Sequence, residues 1–184
     1  MLKDDLIRQL STTIGKIKVV KLAGILRDQQ FALSDLIDLT FHHDKTIAYR
    51  SAWLLENMVL QQPKSFLPEL DYLLHCFTKV IYPSCQRHYA KIMMHLTDKK
   101  APHNIKVRLQ ETNLEPVVEK CFEWVIDPEV LIAVKVFACQ ALFNLRSRYD
   151  WIQDELREQL EFLMRDGTAA IQSRGKKLLA QLNY

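Results

Sequence analysis

Three side chains able to ligate a metal, Cys85, His88 and His95, fall on one predicted helix. Their spacing places them along a similar helical face. Zinc sites, however, usually show closer ligand pairs and a fourth ligand, so the pattern favours ordinary helix histidines and predicts neither a metal nor a cofactor. Cys85 with His88 would also suit nucleophilic catalysis, but a reactive thiolate needs a positioned base and a cavity, and the spacing indicates neither.

A second group of chemically active residues is cationic and lies in the polar segment 98–113. Its members are Lys99, Lys100, Lys106 and Arg108. The apolar spacing is interrupted here, so the segment is predicted to be a long loop. Clustered cations of this kind bind phosphate or an acidic partner. The alternative is a solvated loop without a ligand.

The elements that must position these residues are predicted to be helices. Apolar residues recur at steps of three and four, as at Leu6, Leu10 and Ile14, and no segment alternates with period two. With only 4 Gly and 6 Pro in 184 residues, the chain lacks the frequent turns of a many-stranded protein. We expect eight or nine helices and near-zero strand content.

Two helix starts carry capping signals. Asp127 before Pro128 predicts an N-cap followed by proline at the first helical position, and Asp150 with Gln153 predicts a capping box. The helix after Asp127 is apolar nearly all round, so it needs neighbours on several sides. We expect its most buried positions to be Val134, Phe137, Ala138, Ala141, Leu142 and Leu145.

Composition and charge exclude several classes of protein. Hydrophobic residues make up 48% of the chain and charged residues 26%, which is enough apolar material to bury a core. The net charge of +3 lacks the one-sided basic character that drives nonspecific nucleic-acid binding. The acidic N-terminus does not resemble an export signal, and the most apolar segment, 130–145, is too short to span a membrane. The four cysteines form no CxxC pair, so we expect a cytoplasmic protein with reduced core thiols.

One plan recurs four times along the chain: an amphipathic helix, a short polar break that usually contains Asp, and a cation near the start of a more apolar helix. The four cations are Arg50, Arg87, Lys135 and Arg174. Two of the three intervals lie near the period of roughly 40 to 47 residues that HEAT and armadillo repeats show, and the longest interval contains the segment 98–113, which an inserted loop would explain. Because partly buried cations are costly unless paired, we expect Arg50, Lys135 and Arg174 each to contact an acid or a turn carbonyl.

This plan resembles the HEAT-repeat, armadillo-like superfamily over about residues 31–184. The segments AYRSAWLLE at 48–56, FEWVID at 122–127 and YDWI at 149–152 are similar to those of small bacterial HEAT-like proteins, some of which carry the label adenylosuccinate lyase. The resemblance implies an all-α, right-handed α-α superhelix, which is a solenoid of about four helical hairpins. It implies one domain over 1–184, with an inserted polar loop near 98–113.

The resemblance also implies a function, because such arrays commonly hold another protein. It predicts a non-catalytic scaffold that binds a protein partner through its concave face. Polar residues within the apolar helices are expected to emerge on that face. They are Arg50, Glu56, Asn57, Arg87, Lys91 and His95, and the aromatic Trp53 is expected to bind beside Arg50.

Two alternative functions stay open. Trp53 with Glu56, and Trp124 with Asp127, resemble the aromatic-plus-acid pairs with which HEAT-like DNA glycosylases hold and hydrolyse damaged nucleotides, so a nucleic-acid-binding module is the second hypothesis. A lyase is the remoter one. Lyases of that superfamily close their site with a Gly-Ser-Ser loop, and none of the four glycines lies in such a run.

Overall fold

The computed structural model describes residues 1–12 and 15–182, and within these ranges it contains helices and connecting turns but no strand. The predicted all-α class is confirmed. The described residues form eleven α-helices and one 3₁₀ helix, Pro63–Glu69, so the expected count of eight or nine is wrong. The α-helices are α1 Lys3–Ser11, α2 Lys16–Asp28, α3 Leu33–Leu39, α4 Lys45–Gln61, α5 Leu70–Phe77, α6 Pro83–Leu96, α7 His103–Glu111, α8 Glu115–Ile126, α9 Ile132–Leu145, α10 Trp151–Met164 and α11 Ala169–Leu182.

The helices pack in two rows. In the central row α2, α4, α6, α9 and α11 follow one another, each against the next. In the flanking row α3 packs on α4, α8 on α9 and α10 on α11, while α5 bridges α3 and α8. Each hairpin therefore completes its core against its neighbours, which is the construction of an α-solenoid.

Helix α9 shows why the central row is the more apolar one. It contacts helices on four sides, namely α6, α8, α10 and α11. Of the six positions predicted to be its most buried, five are buried and Phe137 is half-buried. A helix with so many neighbours has little surface left for water, which explains its apolar circumference.

The helix starts differ from two of the capping predictions. Helix α9 begins at Ile132, because Asp127 instead ends α8 and its carboxylate accepts a hydrogen bond from the Glu129 backbone N–H at 2.9 Å. That local bond stabilises a turn in place of a helix. Asp150 precedes α10 but caps no backbone N–H, since its own backbone is already helical. Asp44 is a true N-cap and accepts from the N–H groups of Thr46 and Ile47.

The polar segment 98–113 contains a helix, so the prediction of a long loop is wrong for residues 103–111. Ile105 and Leu109 lie one turn apart on α7 and are both buried, where α7 packs against the 3₁₀ helix. Two apolar residues at this spacing suffice to anchor a short helix on an existing apolar surface. Because polar residues surround these two positions, the apolar spacing in the sequence did not indicate a helix.

Two further predictions concern the apolar residues. Leu6 and Leu10 of the first predicted stripe are buried, whereas Ile14 lies outside the described residues. All four cysteines are buried and unbridged, as expected for core thiols. Over 1–12 and 15–182, no helix combines the length and apolarity needed to cross a bilayer.

Candidate functional site

Two polar residues predicted to face a partner, Glu56 and Lys91, instead bond to each other between α4 and α6, and His88 joins them. Glu56 is buried, and its Oε2 lies 2.6 Å from His88 Nδ1, while its Oε1 accepts from Lys91 Nζ at 2.6 Å. An ionised carboxylate only accepts, so Nδ1 is the donating nitrogen of His88. Burial raises the pKa of Glu56, but the hydrogen bonds from His88 and Lys91 together outweigh it and the net pKa is lowered.

The Glu56 network is a structural cross-link between neighbouring repeats. His88 is buried as well, and its Nε2 has no hydrogen-bond partner among the described residues. Tyr49 covers the imidazole with a ring-centroid separation of 5.4 Å. Because Glu56 and His88 are closed off from solvent, they cannot contact a macromolecular partner.

Two more of the predicted surface residues form hydrogen bonds within the chain. Arg50 Nη1 donates to the carbonyl oxygens of Leu10 and Thr12, both at 2.6 Å, and so fixes the C-terminal end of α1. This confirms the expectation that Arg50 contacts turn carbonyls. Asn57 Nδ2 donates to the Trp53 carbonyl one turn earlier at 2.9 Å. Arg87 is exposed on α6.

The structure places the members of the two tryptophan-plus-acid pairs in separate contacts. Trp53 is half-buried and stacks on Tyr49, while its proposed partner Glu56 is held by the network on α6. Trp124 is buried against Phe77, with ring centroids 4.8 Å apart. Asp127 is exposed and bonds to its own turn. Neither arrangement leaves an open aromatic slot beside a carboxylate.

The three potential metal ligands do not share one site, because each has different surroundings. Cys85 is buried, and burial raises the pKa of its thiol to about 11, so it is not an activated nucleophile. His88 is bonded to Glu56, whereas His95 is exposed. Across residues 1–12 and 15–182, no group of three His, Cys, Asp or Glu side chains is arranged to hold a metal ion.

The four cations of the predicted basic loop diverge. Arg108 on α7 pairs with Asp71 of α5. Lys106 Nζ donates to the Lys99 carbonyl at 3.4 Å, and Lys100 borders a separate pocket next to α4. Because 103–111 is helical, its cations point in different directions and the four do not form one patch.

A different set of cations does converge, in what we term the basic groove. This groove of about 580 Å³ lies over α6, α9 and α11 of the central row. Its cations are Lys99, Arg146, Arg174 and Lys177. Among its described lining residues only Asp98 carries a carboxylate, and that carboxylate accepts from the Lys100 backbone N–H at 2.8 Å.

His95 also lines the basic groove but adds little to its charge. Neighbouring groups displace water from one side of the imidazole and so lower its pKa, and the nearby charge of Lys91 lowers it further. The neutral form is therefore favoured near pH 7. Apolar surface comes from Met94 and Phe143, so the groove combines positive charge with an apolar contribution.

A chain of hydrogen bonds fixes the geometry of the basic groove. Arg174 on α11 donates to Gln140 Oε1 on α9 at 2.5 Å, and Gln140 Nε2 donates to Asn144 Oδ1 at 3.0 Å. Asn144 Nδ2 continues to the Met94 carbonyl of α6 at 3.1 Å and to Thr97 Oγ1 at 3.2 Å. Three consecutive repeats are thereby connected through their polar side chains.

The expectation for the recurring cations holds for Arg50 but not for Arg174, whose partner is a side-chain amide of the neighbouring repeat. It does not hold for Lys135 either, which is buried and is in no ion pair with another described residue. Arg148, which the repeat pattern does not select, bonds turn carbonyls as Arg50 does. It donates to the carbonyls of Leu109, Gln110 and Thr112.

Comparison with known families agrees with this architecture. The HEAT repeat domain family matches residues 6–182. The chain belongs to the HEAT repeat family. The match begins before the resemblance seen at 31–184 and also includes most of α1 and all of α2. A search of curated proteins finds no match.

In this HEAT repeat chain the sequence signal for the basic groove is weak but present. Arg174 and Lys177 are three apart, and Gln140 and Asn144 are four apart, so each pair shares a helical face. What the sequence does not contain is the alignment of those two faces with the end of α6. The groove arises only when α6, α9 and α11 stack in succession.

Proposed function

We propose that this HEAT repeat chain is a scaffold that binds a protein partner through the open face of its central helices, and that the basic groove is the contact. The observation that supports this is the concentration of Lys99, Arg146, Arg174 and Lys177 in one groove. None of the four is in an ion pair with another described residue. Their charge is therefore available to a ligand.

The chemistry of the basic groove favours an acidic peptide segment. Amide groups from Gln140, Asn144 and Gln181 line it beside the cations, and Met94 with Phe143 supply apolar contact. Arg146 lies over the Phe143 ring at 3.8 Å from the centroid and donates to the Phe143 carbonyl, so its guanidinium is held in place. Cations, amides and apolar surface together suit a peptide with carboxylates and an apolar side chain.

The test is binding of a labelled twelve-residue peptide rich in Glu and Asp and containing one Leu and one Phe, measured by fluorescence anisotropy. Arg174→Glu with Lys177→Glu reverses charge inside the groove and should weaken binding by about tenfold or more. The matched control, Arg165→Glu with Lys176→Glu, changes the net charge equally at exposed positions outside the lining. It should retain most of the affinity.

Two outcomes contradict the proposal. Equal affinity of the groove variant and the control variant, both shown to be folded by circular dichroism, would place peptide binding elsewhere or make it a net-charge effect. Tighter binding of a single-stranded oligonucleotide of the same charge, lost in the groove variant, would favour the nucleic-acid alternative.

A further inference from the structure

A second surface, on the flanking row, has the opposite character to the basic groove. We term it the aromatic groove. It lies along α8 and the start of α10, encloses about 680 Å³, and takes its apolar surface from Phe122, Ile126 and Trp151. Ile126 is 57% exposed and Trp151 44% exposed, and the rings of Phe122 and Trp151 lie 5.4 Å apart.

Carboxylates surround this apolar surface. Glu119, Glu123, Asp127 and Glu155 line the aromatic groove, and no cation is among its described lining residues. Lys120 pairs with Glu123 at 2.6 Å from the neighbouring side of α8, which leaves most of the negative charge uncompensated. An exposed tryptophan within an acidic border is suited to a ligand with apolar and basic side chains together.

An exposed surface with both apolar and basic side chains lies at the other end of the array, on α2. On α2, Lys16, Ile17, Val20 and Lys21 share one helical face because they are spaced at one and four residues. Ile17 is 88% exposed and Val20 42% exposed, and both lysines are exposed. The opposite face of α2 holds the buried Val19, Leu22, Ala23 and Leu26. We term the exposed set the α2 face.

The two surfaces cannot meet within one molecule, because α2 begins the central row and α10 belongs to the last hairpin of the array. We propose that the chain self-associates head to tail, with the α2 face of one copy seated in the aromatic groove of the next. Ile17 and Val20 then cover Trp151 and Ile126, while Lys16 and Lys21 approach the carboxylates.

The geometry of this contact sets its strength and its form. A contact between two different surfaces is heterologous, so it extends into a chain of subunits or closes into a ring, and does not stop at a two-fold dimer. The α2 face consists of four residues and the aromatic groove is lined by seven, compared with about 20–30 residues per partner in stable complexes. Association is therefore expected to depend on protein concentration and to weaken as salt screens the charges.

The test uses sedimentation velocity of the full chain across a concentration series, with two charge-reversal variants. Lys16→Glu with Lys21→Glu makes the α2 face acidic, and Glu119→Lys with Glu155→Lys places two lysines in the aromatic groove opposite Lys16 and Lys21 and cancels its net negative charge. Either variant alone should associate about tenfold more weakly than the wild type, because like charges now face one another. Mixing the two variants should restore association, because each then meets a complementary surface on the other.

A third variant, with charge reversals outside both surfaces, is the control. Lys64→Glu with Lys79→Glu alters two exposed lysines outside both surfaces and should leave association unchanged. A wild-type chain that stays monomeric up to about 1 mM would overturn the proposal. So would variants that associate as the wild type does, or a mixture that fails to recover although both variants are folded by circular dichroism.

Discussion

Glu56 is the polar residue on which the contact between α4 and α6 depends most. Glu56→Gln keeps the shape of the side chain but removes the charge that accepts from both His88 and Lys91. We expect the free energy of unfolding to fall by about 1–3 kcal/mol, since one buried donor loses its acceptor. Urea denaturation measures this loss. Glu161→Gln, at an exposed position on α10, should leave stability within about 0.5 kcal/mol of the wild type.

The lowered pKa of Glu56 also predicts how stability changes with pH. A carboxyl whose folded pKa is below its unfolded value stabilises the fold fully above the unfolded pKa, about 4.3 for glutamate, and loses that contribution as pH falls through the folded pKa. Stability of the wild type should therefore decline below about pH 4.3. The decline should be shallower in Glu56→Gln, which lacks this titration. Parallel pH curves for the two proteins would contradict the lowered pKa.

At the scale of the elements, two arginines connect one helical turn to another. Arg50 fixes the end of α1, and Arg148 joins the turn after α9 to the carbonyls at the end of α7. Arg50→Met and Arg148→Met retain most of the stem but leave those carbonyls without a charged donor. Each should lower the free energy of unfolding by about 1–3 kcal/mol in thermal or urea denaturation. Arg87→Met, at an exposed position on α6, is the matched control and should have little effect.

Helix α9 is the element most sensitive to loss of volume. Leu142 is completely buried within it, so Leu142→Ala should lower the free energy of unfolding by about 2–5 kcal/mol through lost burial and a residual cavity. Leu131→Ala removes the same atoms from a half-exposed side chain just before α9. Urea unfolding of both variants tests the difference, and similar losses would show that α9 is not the centre of the core.

For the molecule as a whole, the linear order of the repeats predicts a gradient of local stability. Helices α6 and α9 have neighbours on both sides in the central row, whereas α2 and α11 end that row. In a solenoid each repeat gains stability mainly from its neighbours. Native-state hydrogen exchange should therefore be slowest for backbone amides in α6 and α9 and fastest at the two ends. Uniform protection along the chain would contradict this order.

The proposed interaction surface was predictable from the sequence only in part. We expected polar residues on apolar helices to face a partner. A polar residue in a packed helix, however, either lies at the surface or forms a hydrogen bond inside the protein. Glu56 and Arg50 bond to other groups of the chain. Lys99 and Arg174 lie at the basic groove. Sequence spacing fixes the helical face of each residue but not which helix lies opposite, and the opposite helix decides between these outcomes.

The sequence by itself determined the helical class, the HEAT repeat plan and the apolar circumference of α9, because these depend on spacing within one helix and on the types of nearby residues. The tertiary structure decided the rest. Residues 103–111 form helix α7 because Ile105 and Leu109 pack against the 3₁₀ helix. The basic groove forms because α6, α9 and α11 lie side by side. The tertiary structure also placed the α2 face and the aromatic groove at opposite ends of the array. Each of these depends on residues distant in sequence, whose relative position is set by the packing energy of the whole stack.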